Sequence, residues 1–234
     1  MAAFGVGTLT YAAGEGPFTL VLLAFFLPSV ALSRLGSARK RALIDIGKGG
    51  PRDALQVLAN GGVATACAVA FALTRDRRWA RAFAGAYAAA TADTWATEIG
   101  TLVRGRPRSI FSLRPVATGI SGGITAAGTA AEVAGAAWLS LCAFFCLRAE
   151  GESRDVRDVL TVAAAGVTGA TVDSVLGASL QELRYCAACE RACEIDPHAC
   201  GAPTVRVRGF PGVSNDVVNL MATVAGAALA FAVN

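Results

Sequence analysis

Four carboxylates, Asp93, Glu98, Glu132 and Asp173, stand in stretches that are otherwise apolar enough to dissolve in lipid. An ionised side chain at membrane depth is costly unless it is paired, hydrated or metal-bound, so chains keep such residues for a pathway or a reaction centre. Other polar residues recur around them at helical spacing. Asp53, Gln56 and Asn60 fall at i, i+3 and i+7, on one helix face. Thr94, Thr97 and Glu98 follow Asp93, and Ser174 and Gln181 follow Asp173. Ser121, Thr125 and Thr129 are expected to share a face leading to Glu132, and Asn215 and Asn219 lie one turn apart. A single Ser, Thr or Asn in a membrane helix usually serves packing, and Asp53 alone reads as a helix N-cap. The functional reading rests on five helices that converge on one side of a membrane.

Acids of this kind suit Mg²⁺ chemistry, in which carboxylates hold the ion and the ion holds phosphates. Two Gly-rich stretches could serve an anion. Gly119-Ile120-Ser121-Gly122-Gly123 is expected at the start of a helix, where backbone N–H groups and the helix dipole favour negative charge. The segment from Gly47 through Lys48 to Arg52 is basic and flexible in composition. Neither is a Walker motif or a dinucleotide fingerprint, and close packing explains such glycines equally well. With Arg104, Arg106, Arg108 and Arg114, Lys48 and Arg52 would make a basic rim for a phosphate-bearing ligand. The same Arg residues could instead enforce topology and touch lipid headgroups. The one histidine, His198, lies outside the apolar runs, which excludes a Ser-His-Asp triad among the acids.

Cys186, Cys189, Cys193, His198 and Cys200 form a separate cluster. C-x2-C followed by H-x-C offers four ligands for a closed tetrahedral zinc site, with Cys193 able to replace His198. A structural zinc clip is the first reading, and free thiols or an oxidised pair are the alternative. Four protein ligands leave no open position for catalysis.

These residues need elements to hold them. Of the 234 residues, 54% are hydrophobic and 16% charged, where soluble domains carry about a quarter charged. Mean hydropathy is +0.52. Apolar runs near 17–33, 54–74, 79–102, 119–147, 159–183 and 214–233 predict six transmembrane helices. Residues 2–13 are too short to cross and would form a half-span or the start of the first helix. The expected fold is therefore all-α, a polytopic bundle of six to seven transmembrane helices forming one domain over 1–234, with 184–213 as a Cys-rich loop. The Ala-rich 79–102 run is weakly apolar, so low lipid exposure is expected of it. Loops 34–53, 103–118 and 184–213 carry fourteen Lys and Arg against seven in the opposite loops. That bias puts the first group, and with it the polar cluster, on the cytoplasmic side of the cell membrane.

The blocks PRDALQVLANGG (51–62), ADTWATEIG (92–100), PRSIFSLRPVATGISGGITAAGTAAEVAGA (107–136), VDSVLGASLQ (172–181) and NDVVNL (215–220) occur in order. They resemble the polytopic membrane family called domain of unknown function 92, which includes animal transmembrane protein 19 and the plant phytyl-phosphate kinase. The matching motif residues are Arg52, Asp53, Gln56, Asn60, Asp93, Thr94, Glu98, Ser121, Gly122, Gly123, Asp173, Ser174, Gln181, Asn215 and Asn219. The Cys/His loop is absent from the plant-like members, which argues for a structural role.

The resemblance implies a prenyl-phosphate kinase that converts phytyl or geranylgeranyl phosphate to the diphosphate with CTP or another nucleoside triphosphate. In that reading Asp93 and Asp173 would hold Mg²⁺, Glu98 would assist, and Arg52 or Lys48 would clamp transferring charge. Ser121, Gly122 and Gly123 would offer backbone donors, and Asn60, Asn215 and Asn219 would orient phosphate or ribose oxygens. Glu132, about 20 Å along its expected helix, would lie too deep for the nucleotide. A CTP-dependent lipid cytidylyltransferase could use the same parts. A transporter or flippase of isoprenoid phosphates is the rival from another class. The bilayer, the lipid phosphate and the nucleotide are the expected partners, with no nucleic acid; oligomeric state is not legible.

Overall fold

The computed structural model describes residues 1–36, 53–103, 105–147 and 155–233. Lys48, Arg52 and Arg104 lie outside them. The described helices are α1 (Ala2–Arg34), α2 (Ala54–Thr74), α3 (Arg77–Leu102), α4 (Ala126–Cys146), α5 (Val156–Ser179) and α6 (Asn215–Ala232). All but α3 are long and apolar enough to cross a membrane.

α3 is nonetheless the centre of the bundle and packs against each of the other five helices. Its residues 82–92 are buried without a break. The physical reason is side-chain size. Lipid tails are as apolar as Leu, so membrane helices associate through close packing of small residues. A Cβ placed on Gly85 would stand 2.6 Å from the carbonyl oxygen of Gly226, and one on Gly169 would stand 2.4 Å from the Ala89 methyl. The Ala-Gly character that makes α3 weakly hydropathic is what lets its neighbours approach. Phe83 and Tyr87 interrupt it as large anchors, edge to face with centroids 5.2 Å apart.

α1 is not one rod. Glu15 has φ 50° and ψ −141°, which breaks the helix between residues 2–14 and 16–34. Val6 lies against Gly61 and Thr10 against Thr65, so the first piece runs alongside α2 in the same direction. After the break, Phe18 stacks on Phe71 and Phe83, Phe25 on Tyr87, and Gly36 reaches Leu102. The second piece therefore runs back along α3, and of the two expectations for residues 2–13 the break at Glu15 agrees with a separate short segment.

Two expected spans have different ends. The 119–147 span begins as helix only at Ala126, because Thr125 is extended and its hydroxyl caps the Gly128 N–H at 3.0 Å. Residues before it form a ribbon in which β1 (Arg108–Ser109) pairs antiparallel with β2 (Gly123–Ile124). The 159–183 span stops at Ser179, and Gln181 lies beyond the C-cap Leu180. Thr125→Ala should cost the protein about 1 kcal/mol through the lost cap. Thermal unfolding in detergent would show it as a lowered midpoint that Thr125→Ser restores.

The Cys-rich loop folds as a small three-stranded antiparallel sheet in the order β4-β3-β5. Its strands are β3 (Leu183–Cys186), β4 (Arg191–Cys193) and β5 (Val205–Arg208). Arg184 ties it together, pairing with Glu182 at 2.5 Å and Asp196 at 2.9 Å and donating to the Thr204 hydroxyl at 2.7 Å. The cap is joined to the end of α5, where the Phe210 N–H donates to the Leu180 carbonyl at 3.0 Å.

Candidate functional site

Helix ends, the ribbon and the cap enclose a cavity of about 810 Å³. From α2 come Asp53, Gln56 and Asn60, and from α3 Asp93, Thr94, Thr97 and Glu98. Thr129 and Glu132 enter from α4, Asp173 and Ser174 from α5, and Asn215 and Asn219 from α6. Ser121, Gly122 and Gly123 line it from the ribbon, and Gln181 lines it from the start of the cap. The acids, amides, hydroxyls and glycines expected at the site from Asp53 to Asn219 thus meet here, whereas the described arginines and the Cys/His cluster do not line it. The helix ends arrive together because α3 packs against all of them. Asp53 also caps α2, its carboxylate accepting from the Gln56 N–H at 2.9 Å.

The floor is a carboxylate cluster. Asp93 and Asp173 are within hydrogen-bond reach of one another, and both feel the charge of Glu132. One oxygen of Asp173, Oδ2, is buried without a hydrogen-bond partner. Thr171 donates to Glu132 at 3.2 Å. Below them the bundle is closed by the uninterrupted packing of residues 82–92.

Glu132 is therefore not too deep. The expectation counted from a helix start at residue 119, but α4 starts at Ala126. Six residues at 1.5 Å each put Glu132 only about 9 Å along the helix, level with the two aspartates.

The Gly-rich segment also departs from expectation. Ser121, Gly122 and Gly123 precede α4 in the ribbon and do not form its N-terminus. The Gly123 N–H donates to the Ile120 carbonyl at 3.1 Å, and the Gly122 carbonyl accepts from the Ile110 N–H at 3.0 Å. Gly122 has φ 78°, and a Cβ there would stand 2.3 Å from that of Ala178. Its glycine serves close packing of the ribbon on α5.

The expected basic rim is not formed by the described arginines. Among the described residues, no Lys or Arg lines the cavity, whereas eight carboxylates do. Arg106 and Arg108 face a second cavity of about 730 Å³. One cation stands just behind the wall: Arg208 donates to the Gly177 carbonyl at 2.9 Å and to that of Ser121 at 3.5 Å.

Sequence reading missed Glu194. It sits in the cap beside the cysteines, far from any helical pattern, yet it lines the cavity. The Ser121 hydroxyl donates to it at 2.5 Å. Its charge reaches Asp173. Burial raises the Glu194 carboxyl above its ordinary range, opposed by the Ser121 bond, the Arg208 charge and the Gln181 amide. No spacing rule could have found it, since only the fold of the cap brings it to α5.

In the cap, the ligand atoms of Cys186, Cys189, His198 and Cys200 all lie within 4.8 Å of one another. Cys193 is not among them; its thiol faces the Ile195 carbonyl at 3.6 Å. His198 Nδ1 is 3.2 Å from the Cys200 sulfur. That contact draws the Cys200 thiol down to about 6, while bonding to Cys200 raises Cys189.

Residues 1–227 match the family described as Integral membrane protein DUF92. The chain is 31% identical to Protein PGR of Arabidopsis thaliana over 245 aligned positions, covering 94% of this chain and 82% of that protein. It is 33% identical to an uncharacterised membrane protein of Methanocaldococcus jannaschii over 163 positions, covering 69% and 64%. An uncharacterised membrane protein of Synechocystis is 25% identical over 236 positions, covering 99% and 79%. No solved structure matches the chain.

Proposed function

Because the chain belongs to the integral membrane family DUF92, we propose that its acid-lined cavity is the active site of a divalent-cation-dependent prenyl-phosphate kinase. The observation that carries this reading is the meeting of Asp93 and Asp173 beside Glu132 in one cavity of about 810 Å³. The donor set fits a hard cation: it is all oxygen, and Asp173 Oδ2 is buried without a partner. Asp93, Asp173 and Glu132 would hold Mg²⁺, which supplies charge neutralisation for the donor's phosphates. A nucleoside triphosphate would be repelled by eight carboxylates, so its binding here requires the cation.

In the reaction, an oxygen of the lipid monophosphate bonds to the γ-phosphorus of CTP while the bond to the β–γ bridging oxygen breaks, leaving CDP. The attacking oxygen is already ionised, so no side chain need act as base. Positioning carries the catalysis. Asn215 and Asn219 on α6 and Asn60 on α2 supply neutral donors toward phosphate or ribose oxygens. Lys48 and Arg52 remain the proposed clamp on transferring charge. By the Lys and Arg bias of the loops, the cavity faces the cytoplasm, which lets the prenyl tail stay in the bilayer.

The unbroken burial of residues 82–92 next to the acids favours an enzyme over a transporter. The test is purified protein in lipid nanodiscs with CTP, Mg²⁺ and geranylgeranyl or phytyl phosphate, analysed by mass spectrometry. The expected products are the lipid diphosphate and CDP, both lost on chelation with EDTA. Pyrophosphate and a CDP-lipid would replace the kinase by a cytidylyltransferase. Prenyl-phosphate flux across sealed vesicles without nucleotide, and no lipid diphosphate, would overturn the enzyme reading.

A further inference from the structure

We infer that Cys186, Cys189, His198 and Cys200 form a structural zinc site whose role is to fold the cap and hold Glu194 at the cavity. The inference rests on cap geometry and stands whether or not the cavity transfers phosphate.

The four ligands come from three places in the cap. Cys186 ends β3, Cys189 lies in the turn before β4, and His198 and Cys200 lie in the loop between β4 and β5. They are 12 to 14 residues apart at the extremes, yet their ligand atoms gather within 4.8 Å. Thiolates about 2.3 Å from a tetrahedral zinc would stand just under 4 Å from one another by geometry. Cys186 and Cys200 sulfurs are 3.7 Å apart. A disulfide between these two would need about 2.05 Å, and it would leave Cys189 and His198 gathered for no purpose.

The cap also lacks the means to fold alone. Within 183–213 the buried residues are Cys186, Cys193, His198 and Thr204, and two of the four are proposed ligands. Its large apolar side chains Tyr185, Val205, Val207 and Phe210 are exposed. A unit of some thirty residues without an apolar core ordinarily needs a metal or disulfides. Here the metal would fix the loop that follows β4, and Glu194 is the first residue of that loop. From there its carboxylate accepts from the Ser121 hydroxyl of the ribbon, and both line the cavity. Glu194 is thus delivered by the cap, and the metal acts as its positioning device.

Metal analysis of the full-length protein purified in reducing buffer should find close to one zinc per chain. Cobalt substitution should give the intense visible and near-ultraviolet absorption of tetrahedral thiolate–Co²⁺. C189S and C200S should each lose the metal, whereas C193S should keep it, since that sulfur lies outside the cluster. Because a ligand variant could misfold, the decisive measurement uses wild-type protein stripped by a chelator and then reloaded. Hydrogen exchange over 183–213 and around Ser121 should rise at least tenfold on stripping and return on reloading, with the transmembrane helices unchanged. Less than a fifth of an equivalent of zinc, with Cys186, Cys189 and Cys200 alkylated freely, would overturn the site. A Cys186–Cys200 disulfide in protein kept reduced would do the same. Full zinc occupancy with unchanged exchange at Ser121 on stripping would overturn the positioning role.

Discussion

Asp173→Asn is expected to abolish turnover in the nanodisc assay, by at least about a hundredfold, while leaving the protein folded. The expected loss exceeds the 10–100-fold typical of removing a group that merely supports a metal ligand, because here the ligand charge itself goes. The same substitution should not weaken the metal-free protein. Asp93, Asp173 and Glu132 place like charges together in a buried cluster, and neutralising one relieves that repulsion. Wild-type protein at about a hundred times the Kd for Mg²⁺ should gain about 2.7 kcal/mol of stability by mass action. Its thermal midpoint should therefore rise with Mg²⁺, and that of Asp173→Asn should not. Asp93→Asn should behave alike. Retained turnover, or an unchanged Mg²⁺ response, in either variant would remove that residue from the cation site.

Gly169→Val is expected to prevent the bundle from assembling in its present form. A Cβ at this position would stand 2.4 Å from the Ala89 methyl and 2.8 Å from the Ala222 carbonyl oxygen. Neither neighbour is the end of a flexible side chain, so α5 must move away from both α3 and α6. Overpacking of cores typically costs 1–3 kcal/mol, and displacement of a helix from backbone contact should reach or exceed about the top of that range. Thermal unfolding and size-exclusion profiles in mild detergent would report it. Gly62→Ala is the control, because a Cβ there meets nothing closer than Leu58 at 3.9 Å. That variant should match or exceed wild-type stability, since alanine has the higher helix propensity. Equal midpoints for Gly169→Val and Gly62→Ala would refute the close-packed role of α3.

Much of the site was legible because transmembrane helices obey a short-range rule. Polar residues at i, i+3, i+4 and i+7 share a face whatever the rest of the chain does. That is enough to put Asp53, Gln56 and Asn60, or Asn215 and Asn219, on common sides. The cost of burying acids in lipid marked Asp93 and Asp173 without any knowledge of neighbours. The low hydropathy of 79–102 likewise pointed to a shielded helix, and α3 is that helix.

Composition failed where helix and loop share the same residues. Gly119 to Gly123 is apolar and small enough to extend a span, so nothing local separated it from α4. Thr125 begins the helix because its hydroxyl caps Gly128, and that placement moves Glu132 up to the two aspartates. The basic rim was read from loop charge, which reports the side of a membrane and not the direction a side chain faces.

The sequence by itself determined a polytopic helical membrane protein of the DUF92 family, the acids of the spans that must be shielded from lipid, and the clustering of Cys and His in one loop. The family follows from motif blocks in order along the chain, and the rest from solvation costs and spacing, which act over a few residues. The tertiary structure alone decided that Glu132 joins Asp93 and Asp173, that the described arginines stay out of the cavity, and that Glu194 enters it. Each depends on segments distant in the chain meeting, through helices packed around α3 for Glu132 and through the fold of the cap for Glu194, which no local pattern reports.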